Sequence, residues 1–180
     1  MAYDVAILGA GVIGCSVAYH LATMGRLRVC VLERAPQPGM GSTGKATGGF
    51  RCQYSTPINV RLSLRAREKL LHFQEETGVD PEYRPCGYLF VASTEAQLQT
   101  LREAIAAQRD VGLTESREVG VEEIRELNPA LYTGDLIGGT FCPLDGFTRP
   151  LKILQGYFEA SQRLGVEYRF GVGAAQVWRE

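Results

Sequence analysis

No apolar run in this 180-residue chain approaches the roughly 18 residues that a membrane-spanning helix needs. No sign of charge dominates: 19 basic residues stand against 20 acidic ones, for a net charge of -1. Without a basic field, neither nucleic acid nor an anionic membrane surface is an expected partner. Histidine is scarce, only His20 and His72, which speaks against a His-based metal site. The cysteines, Cys15, Cys30, Cys52, Cys86 and Cys142, are scattered, odd in number and without a C-x-x-C pair. Reduced thiols in a cytoplasmic protein fit that pattern better than a disulfide frame or a zinc site. The N-terminal MAYDVAILGAG lacks a basic lead-in and a small-residue cleavage site, so it does not read as a signal peptide. Repeats and low-complexity tracts are absent. What remains is an ordinary globular composition, 45% hydrophobic and 22% charged, in a length that suits one domain and leaves little room for two.

Apolar patterning sets the order of elements. Residues 3–8 (YDVAIL) form a short, nearly continuous apolar run, the pattern of a strand buried on both faces. The run leads into Gly9-Ala10-Gly11-Val12-Ile13-Gly14. Val17, Ala18, Leu21 and Ala22 then recur at helical spacing, and Gly25 stops that helix. Residues 28–32 (RVCVL) are a second buried strand, which makes a βαβ unit with parallel strands. A glycine- and proline-rich loop is expected over 34–55. Lys45, Phe50, Arg51 and Tyr54 within it favour a functional loop over a linker. Helices are predicted over 57–77, over 95–111 behind a Thr94/Gln97 capping box, over 121–127, and over 150–164. Strands are predicted over 87–92, 136–142 and 166–170. Two parallel strands, an insertion, and a return to helix and strand describe an α/β nucleotide-binding domain interrupted by a smaller domain.

Gly9, Gly11 and Gly14 form a G-x-G-x-x-G that follows a buried strand and opens a helix, and Glu33 follows about 20 residues later at the end of the second strand. That is the context of a dinucleotide fingerprint. Gly9 permits the tight turn, Gly11 lets backbone N–H groups reach the pyrophosphate, and Gly14 lets helix and strand pack closely. The positive end of the helix dipole faces the phosphates. A carboxylate at 33 can accept hydrogen bonds from ribose hydroxyls and would repel a 2′-phosphate, which argues against NADP. FAD and NAD both fit.

The stretch MGSTGKATGGFR (40–51) resembles the loop that follows the fingerprint in the D-amino-acid oxidase superfamily of FAD-dependent oxidoreductases. So do Gly87-Tyr88-Leu89-Phe90-Val91, and Pro143-Leu144-Asp145-Gly146 with Pro150. The blocks occur in the family's order across essentially the whole chain. They look most like the beta subunits of sarcosine oxidase and of heteromeric proline dehydrogenase. The resemblance implies an α/β fold: an FAD-binding, Rossmann-like parallel sheet interrupted by a smaller α+β substrate domain, both incomplete in this chain. The implied division is 1–78 for the first part of the FAD domain, 79–145 for the substrate domain and 146–180 for the return. Such a domain needs about five parallel strands, so a protein roughly twice as long is expected, with the last residues (176–180) lying in a strand or its turn.

Roles follow residue by residue from the same resemblance. Ser42 and Thr43 would contact the FAD pyrophosphate or ribityl chain. Lys45, Ala46, Gly48 and Gly49 would pass beside the isoalloxazine, and Val172 would set backbone groups against the adenine. Together with Gly9, Gly11, Val12, Ile13, Gly14, Glu33 and Arg34 they make the expected cofactor site. Arg51 would sit near the flavin on the substrate side, as a catalytic cation and one candidate anchor for a substrate carboxylate. A cation there stabilises the anionic reduced flavin. Cys52 reads as a buried thiol, His20 as a packing or surface residue, and Arg61, Arg65 and Arg67 as a solvated helix face. Tyr54 and Tyr88 suit either a pocket or an aromatic core.

The implied activity is oxidation of the C–N bond of a secondary amine or amino acid, of the sarcosine, proline or glycine type. Hydride passes to flavin N5, and oxygen or a carrier then accepts the electrons. Partner subunits of a hetero-oligomer belong to that expectation; a metal does not. A flavin dehydrogenase of a non-amine substrate and a flavin-binding subunit without catalysis are the alternatives.

Overall fold

The structure is a computed structural model that describes residues 2–176 and 178. Of the final stretch expected to form a strand or turn, Val177, Arg179 and Glu180 lie outside the described residues. The chain divides into two compact units. The first comprises Met1–Gly48, His72–Glu82 and Arg149–Glu180, the second Gly49–Leu71 and Tyr83–Thr148.

The first unit is built on a three-stranded parallel sheet. β1 (Val5–Leu8) pairs with β2 (Val29–Glu33) in the register Val5↔Val29 to Leu8↔Leu32. On its other edge β2 pairs with β8 (Glu167–Phe170), from Cys30↔Glu167 to Glu33↔Phe170. Parallel neighbours need a crossover, and α1 (Val12–Thr23) supplies the one between β1 and β2. The helix α6 (Pro150–Arg163) starts with a proline in its first turn, where the missing N–H removes no helical bond. α1 and α6 lie together against the sheet face that carries Val5, Ile7, Val29 and Val31, with Cys15, Ala18 and Leu154 in the core between them.

The two-sided burial expected for residues 3–8 does not hold. Burial along β1 alternates, and Leu8 is 56% exposed. α1 and α6 cover one face of this sheet; on the other face Ala6 and Leu8 are exposed, whereas Cys30, of the same parity in the middle strand, is buried. β8 alternates in the same way, with Glu167 and Arg169 on the open side.

The second unit holds an antiparallel sheet in which β6 (Gly138–Cys142) lies between β4 (Tyr88–Ala92) and β5 (Arg117–Val119). The helix α4 (Glu95–Arg109) begins at the expected capping box, in which Thr94 and Gln97 bond reciprocally. Its Leu98 rests on Gly138. The short helix α5 (Val121–Leu127) follows β5. A two-residue ladder joins β3 (Gly49–Phe50) to β7 (Gly146–Phe147). Cys52, Val60, Leu113 and Cys142 form the core. The long helix α3 (Pro57–Thr77) runs from the second unit into the first. It stops at Gly78, whose φ of +80° only glycine adopts readily.

Two local expectations need correction. Residues 34–55 are not one loop: they contain the helical turn α2 (Ser42–Lys45) as well as β3. The insertion also carries β5 and β7, which had no sequence signal.

Candidate functional site

The glycine turn connects the carboxyl end of β1 to the N-terminus of α1, where open parallel sheets bind ligands. Gly9 has a φ of +103°, and its N–H donates to the Leu32 carbonyl at 2.8 Å. A Cβ on Gly14 would lie 1.9 Å from the Gly9 carbonyl oxygen, so strand and helix touch backbone to backbone. Gly11 caps α1 without a side-chain bond. Among the described residues no acceptor meets the N–H of Gly11 or of Ile13. Val12 donates instead to Thr43 Oγ1 at 3.0 Å, which ties α2 to the turn.

Glu33 closes the turn from the next strand. Its Oε2 accepts the Ala10 N–H at 2.7 Å and its Oε1 accepts the Ala35 N–H at 2.8 Å. These bonds, Ala35 first, hold the carboxyl below its ordinary pKa. A carboxylate has about four lone-pair sites, so both oxygens keep room for a ligand hydroxyl. The Glu33 carbonyl takes the Val172 N–H at 3.0 Å. Val172, whose backbone groups were expected against an adenine, is thereby tied to the end of β2. A cleft of about 310 Å³ opens beside this set, lined by Leu8, Gly9, Leu32, Arg34, Gly173 and Ala174. Thus Gly9, Gly11, Val12, Gly14, Glu33, Arg34, Thr43 and Val172 come together. Ser42, Lys45 and Ala46 are exposed along α2 and at its end, and Ser42 and Lys45 make no side-chain bond among the described residues. Gly48 has a φ of +86° and ends the first stretch of this unit. Gly49 and Arg51 belong to the second unit.

In the second unit Arg51 is half-buried and held by aromatic rings. Its guanidinium carbon lies 4.6 Å from the Tyr54 ring centroid, 5.2 Å from Phe90 and 5.9 Å from Tyr88. Cation–π contact orients the group, yet no carboxylate pairs with it among the described residues. Arg51, Tyr54 and Phe90 line a cavity of about 260 Å³ together with Gln53, Gln108 and Thr140. Beneath it lies a buried polar network. Gln53 donates to Asp145 at 3.2 Å and to the Tyr88 carbonyl at 2.8 Å, and it accepts from Thr140 at 3.0 Å and Ser116 at 3.3 Å. Asp145 also accepts the Cys52 N–H at 2.6 Å. Burial raises the Asp145 carboxyl pKa against the pull of those donors. Burial likewise pushes the Cys52 thiol to about 12, which leaves it an unreactive core residue.

The sequence reading had not singled out Gln53 or Gln108, and it had quoted Asp145 only within the Pro143-Leu144-Asp145-Gly146 block, with no role of its own. Gln108 carried a signal: it continues the apolar stripe Leu98, Leu101, Ile105 at helical spacing, and a polar residue on a buried face asks for a partner. Gln53 and Asp145 left no such trace, because their partners lie far away in sequence.

The model of the DAO family, FAD dependent oxidoreductase, matches residues 4–180. The chain belongs to that family. It is 33% identical over 174 residues, 91% of its length, to FAD-dependent oxidoreductase domain-containing protein 1 of Bos taurus. It is 28% identical over 148 residues, 82% of its length, to the mitochondrial sarcosine dehydrogenase of Mus musculus. The crystal structure of L-proline dehydrogenase from P. horikoshii superposes on 91% of the chain with a TM-score of 0.82 at 27% identity. The chain spans 35%, 16% and 42% of those three proteins. FAD is the cofactor of the family, as expected, and the first unit fits it: Gly14 packs against the Gly9 backbone so that α1 opens directly after β1, and the N–H groups of Gly11 and Ile13 remain as donors of the kind a pyrophosphate requires. Among the described residues no His/Cys/Asp/Glu group could hold a metal ion, and no helix is long and apolar enough to cross a membrane.

Proposed function

We propose that the chain forms the cofactor cradle and part of the substrate pocket of an FAD-dependent oxidoreductase acting on the C–N bond of a secondary amine or amino acid, of the sarcosine, proline or glycine type. One observation carries the substrate class: Arg51 keeps an unpaired guanidinium, braced by aromatic rings, in the wall of a small cavity. A partly desolvated cation without an anion of its own is costly, and a substrate carboxylate supplies that anion with matching geometry. Relatives named for L-proline and for sarcosine support the same class.

FAD, when bound, supplies the two-electron step. The chain binds and orients. The turn from Gly9 through Val12 and Ile13 to Gly14 takes the pyrophosphate, Glu33 the ribose hydroxyls, and Arg34 and Val172 the adenine side. Ser42, Thr43, Lys45, Ala46, Gly48 and Gly49 follow the ribityl chain and the ring. Arg51 would hold the carboxylate, so that the carbon next to nitrogen is placed to lose hydride, for which bound FAD would be the acceptor, as the nitrogen lone pair forms the C=N bond. Water then hydrolyses the imine. The electron acceptor, oxygen or a carrier, belongs to the same proposal. So do any partner subunits and a reducing compartment such as the cytoplasm, which free thiols suit.

The test is anaerobic addition of sarcosine, L-proline or glycine to the full-length protein while the visible flavin band is followed. An amine should bleach it, and Arg51→Met should raise the amine concentration required by about 100-fold. Bleaching by a hydroxy acid or glycerol phosphate but by no amine would replace this reading with a non-amine dehydrogenase. No bleaching by any donor would leave a flavin-binding subunit.

A further inference from the structure

Among the described residues, two buried side-chain atoms in the second unit have no hydrogen-bond partner, Arg51 Nε and Gln108 Oε1, and both residues line the same cavity. Buried polar atoms are nearly always paired, so each orphan asks for an explanation. Here one is a donor and the other an acceptor. Gln108 is only 3% exposed. Its amide nitrogen donates to the Tyr54 carbonyl at 3.1 Å. A carbonyl can only accept, so this bond fixes which end of the amide points away and leaves Oε1 as the free acceptor. Gln53, Thr100 and Thr140, which also line it, are already engaged. Thr140 donates its hydroxyl to Gln53, whose own oxygen accepts from both Thr140 and Ser116. Leu101 and Ala104 of α4 and Phe90 of β4 complete apolar walls. The cavity, about 260 Å³, falls just under the roughly 300–1,000 Å³ typical of drug-sized ligands.

A ligand that satisfies this pocket carries an anionic acceptor for Arg51 and an N–H donor for Gln108. An amino acid has both. We propose that Gln108 is a specificity residue: its Oε1 accepts the N–H of the substrate amine while Arg51 holds the carboxylate. This assignment rests on the amino-acid reading of the pocket given above. It implies that the pocket discriminates against isosteres in which the nitrogen has become an ether oxygen, because an ether presents a second acceptor to Oε1.

Anaerobic titration calorimetry of the full chain, with its FAD reduced beforehand so that an amine can bind but not react, tests this with L-proline and tetrahydrofuran-2-carboxylate, its ring-oxygen isostere. L-Proline should bind at least about tenfold more tightly. Gln108→Leu should remove that preference, chiefly by weakening L-proline. Gln108→Glu keeps an acceptor but loses the donor to Tyr54, and should retain the preference. A role confined to holding Tyr54 would instead affect both variants alike. If the parent binds the two ligands equally, as it would were a buried water bridging the two atoms, the Gln108 assignment falls and the amino-acid reading stands. The same holds if Gln108→Leu keeps the preference. If L-proline does not bind but sarcosine does, the same comparison is made between sarcosine and methoxyacetate, with the same outcomes; if no amine binds the parent, or Arg51→Met weakens none, the amino-acid reading falls and takes this assignment with it.

Discussion

At Gly14 a single added carbon would meet backbone, not a side chain that can swing away. The ideal Cβ lies 1.9 Å from the Gly9 carbonyl oxygen, whereas at Gly41 nothing lies within 4 Å and φ is -88°. Gly14→Ala should therefore cost about 3 kcal/mol or more, and Gly41→Ala should leave the unfolding midpoint nearly unchanged. Equal effects in thermal melts would mean that the turn is not the tight junction described. Glu33 and Asp145 give opposite pH signatures. The Glu33 carboxyl lies below its ordinary pKa, held there by the Ala35 and Ala10 N–H groups. Its contribution is present above the unfolded-state value, roughly 4.3, and is lost as pH falls through the lower folded value. The buried Asp145 carboxyl is shifted upward by desolvation. Its contribution is complete below roughly 3.9 and is lost as pH rises through the folded value. Denaturant midpoints followed from pH 3 to pH 7 should thus lose part of their acid-side fall in Glu33→Gln, and part of their decline with rising pH in Asp145→Asn. Parallel profiles for the two variants would contradict both assignments.

Where α6 meets the end of α3, helix propensity and packing pull in opposite directions. Alanine favours a helix interior over glycine by about 1 kcal/mol. A Cβ on Gly156, however, would come within 2.4 Å of the Phe73 ring and 2.7 Å of Thr77 Oγ1. Overpacking typically costs 1–3 kcal/mol, so Gly156→Ala should be net destabilising; a raised melting temperature would show that the helices can slide apart. By contrast, Thr94→Ala removes one half of a capping box and should cost about 1 kcal/mol in chemical denaturation. These three helices show what was legible in advance. The cap of α4, the proline at the start of α6 and the glycine beyond α3 are local signals, and the elements appeared where those residues put them. The β1–α1–β2 unit was legible for the same reason, since strand, glycine turn and helix are written consecutively. β3 and β7 were not: their ladder joins Gly49 to Phe147 and Phe50 to Gly146, and two residues carry no periodicity. β5 begins with Arg117 and Glu118 and becomes a strand only because β6 offers it an edge. The pocket divides in the same way. Arg51 was visible through the resemblance, and Gln108 was passed over although it continues an apolar stripe, whereas the support of Gln53 and Asp145 for the loop depends on contacts that no local pattern encodes.

For the whole molecule, the residues proposed for FAD divide unevenly between the two units. The glycine turn, Glu33, Arg34 and the cleft beside them all belong to the first unit, and all are proposed for the adenosine diphosphate half of the cofactor. Gly49 and Arg51, proposed for the flavin side, belong to the second. Occupancy of the adenosine half should therefore be a property of the first unit alone. ADP at 100 times its dissociation constant should stabilise the chain by about 2.7 kcal/mol, a shift of several degrees in the melting transition for a unit of this size. Adenosine 2′,5′-bisphosphate should give little shift, because its 2′-phosphate would meet the Glu33 carboxylate, which stays ionised at neutral pH. FMN should also shift the transition less than ADP does, since it lacks the adenosine that these residues address. Glu33→Gln removes the repelling charge but keeps one acceptor oxygen, so it should narrow the gap between ADP and the 2′-phosphate without abolishing ADP binding. A parent chain that accepts both adenine nucleotides equally would show that Glu33 serves only to hold the turn through Ala10 and Ala35, and the ribose would then have to be read elsewhere along the carboxyl ends of β1, β2 and β8.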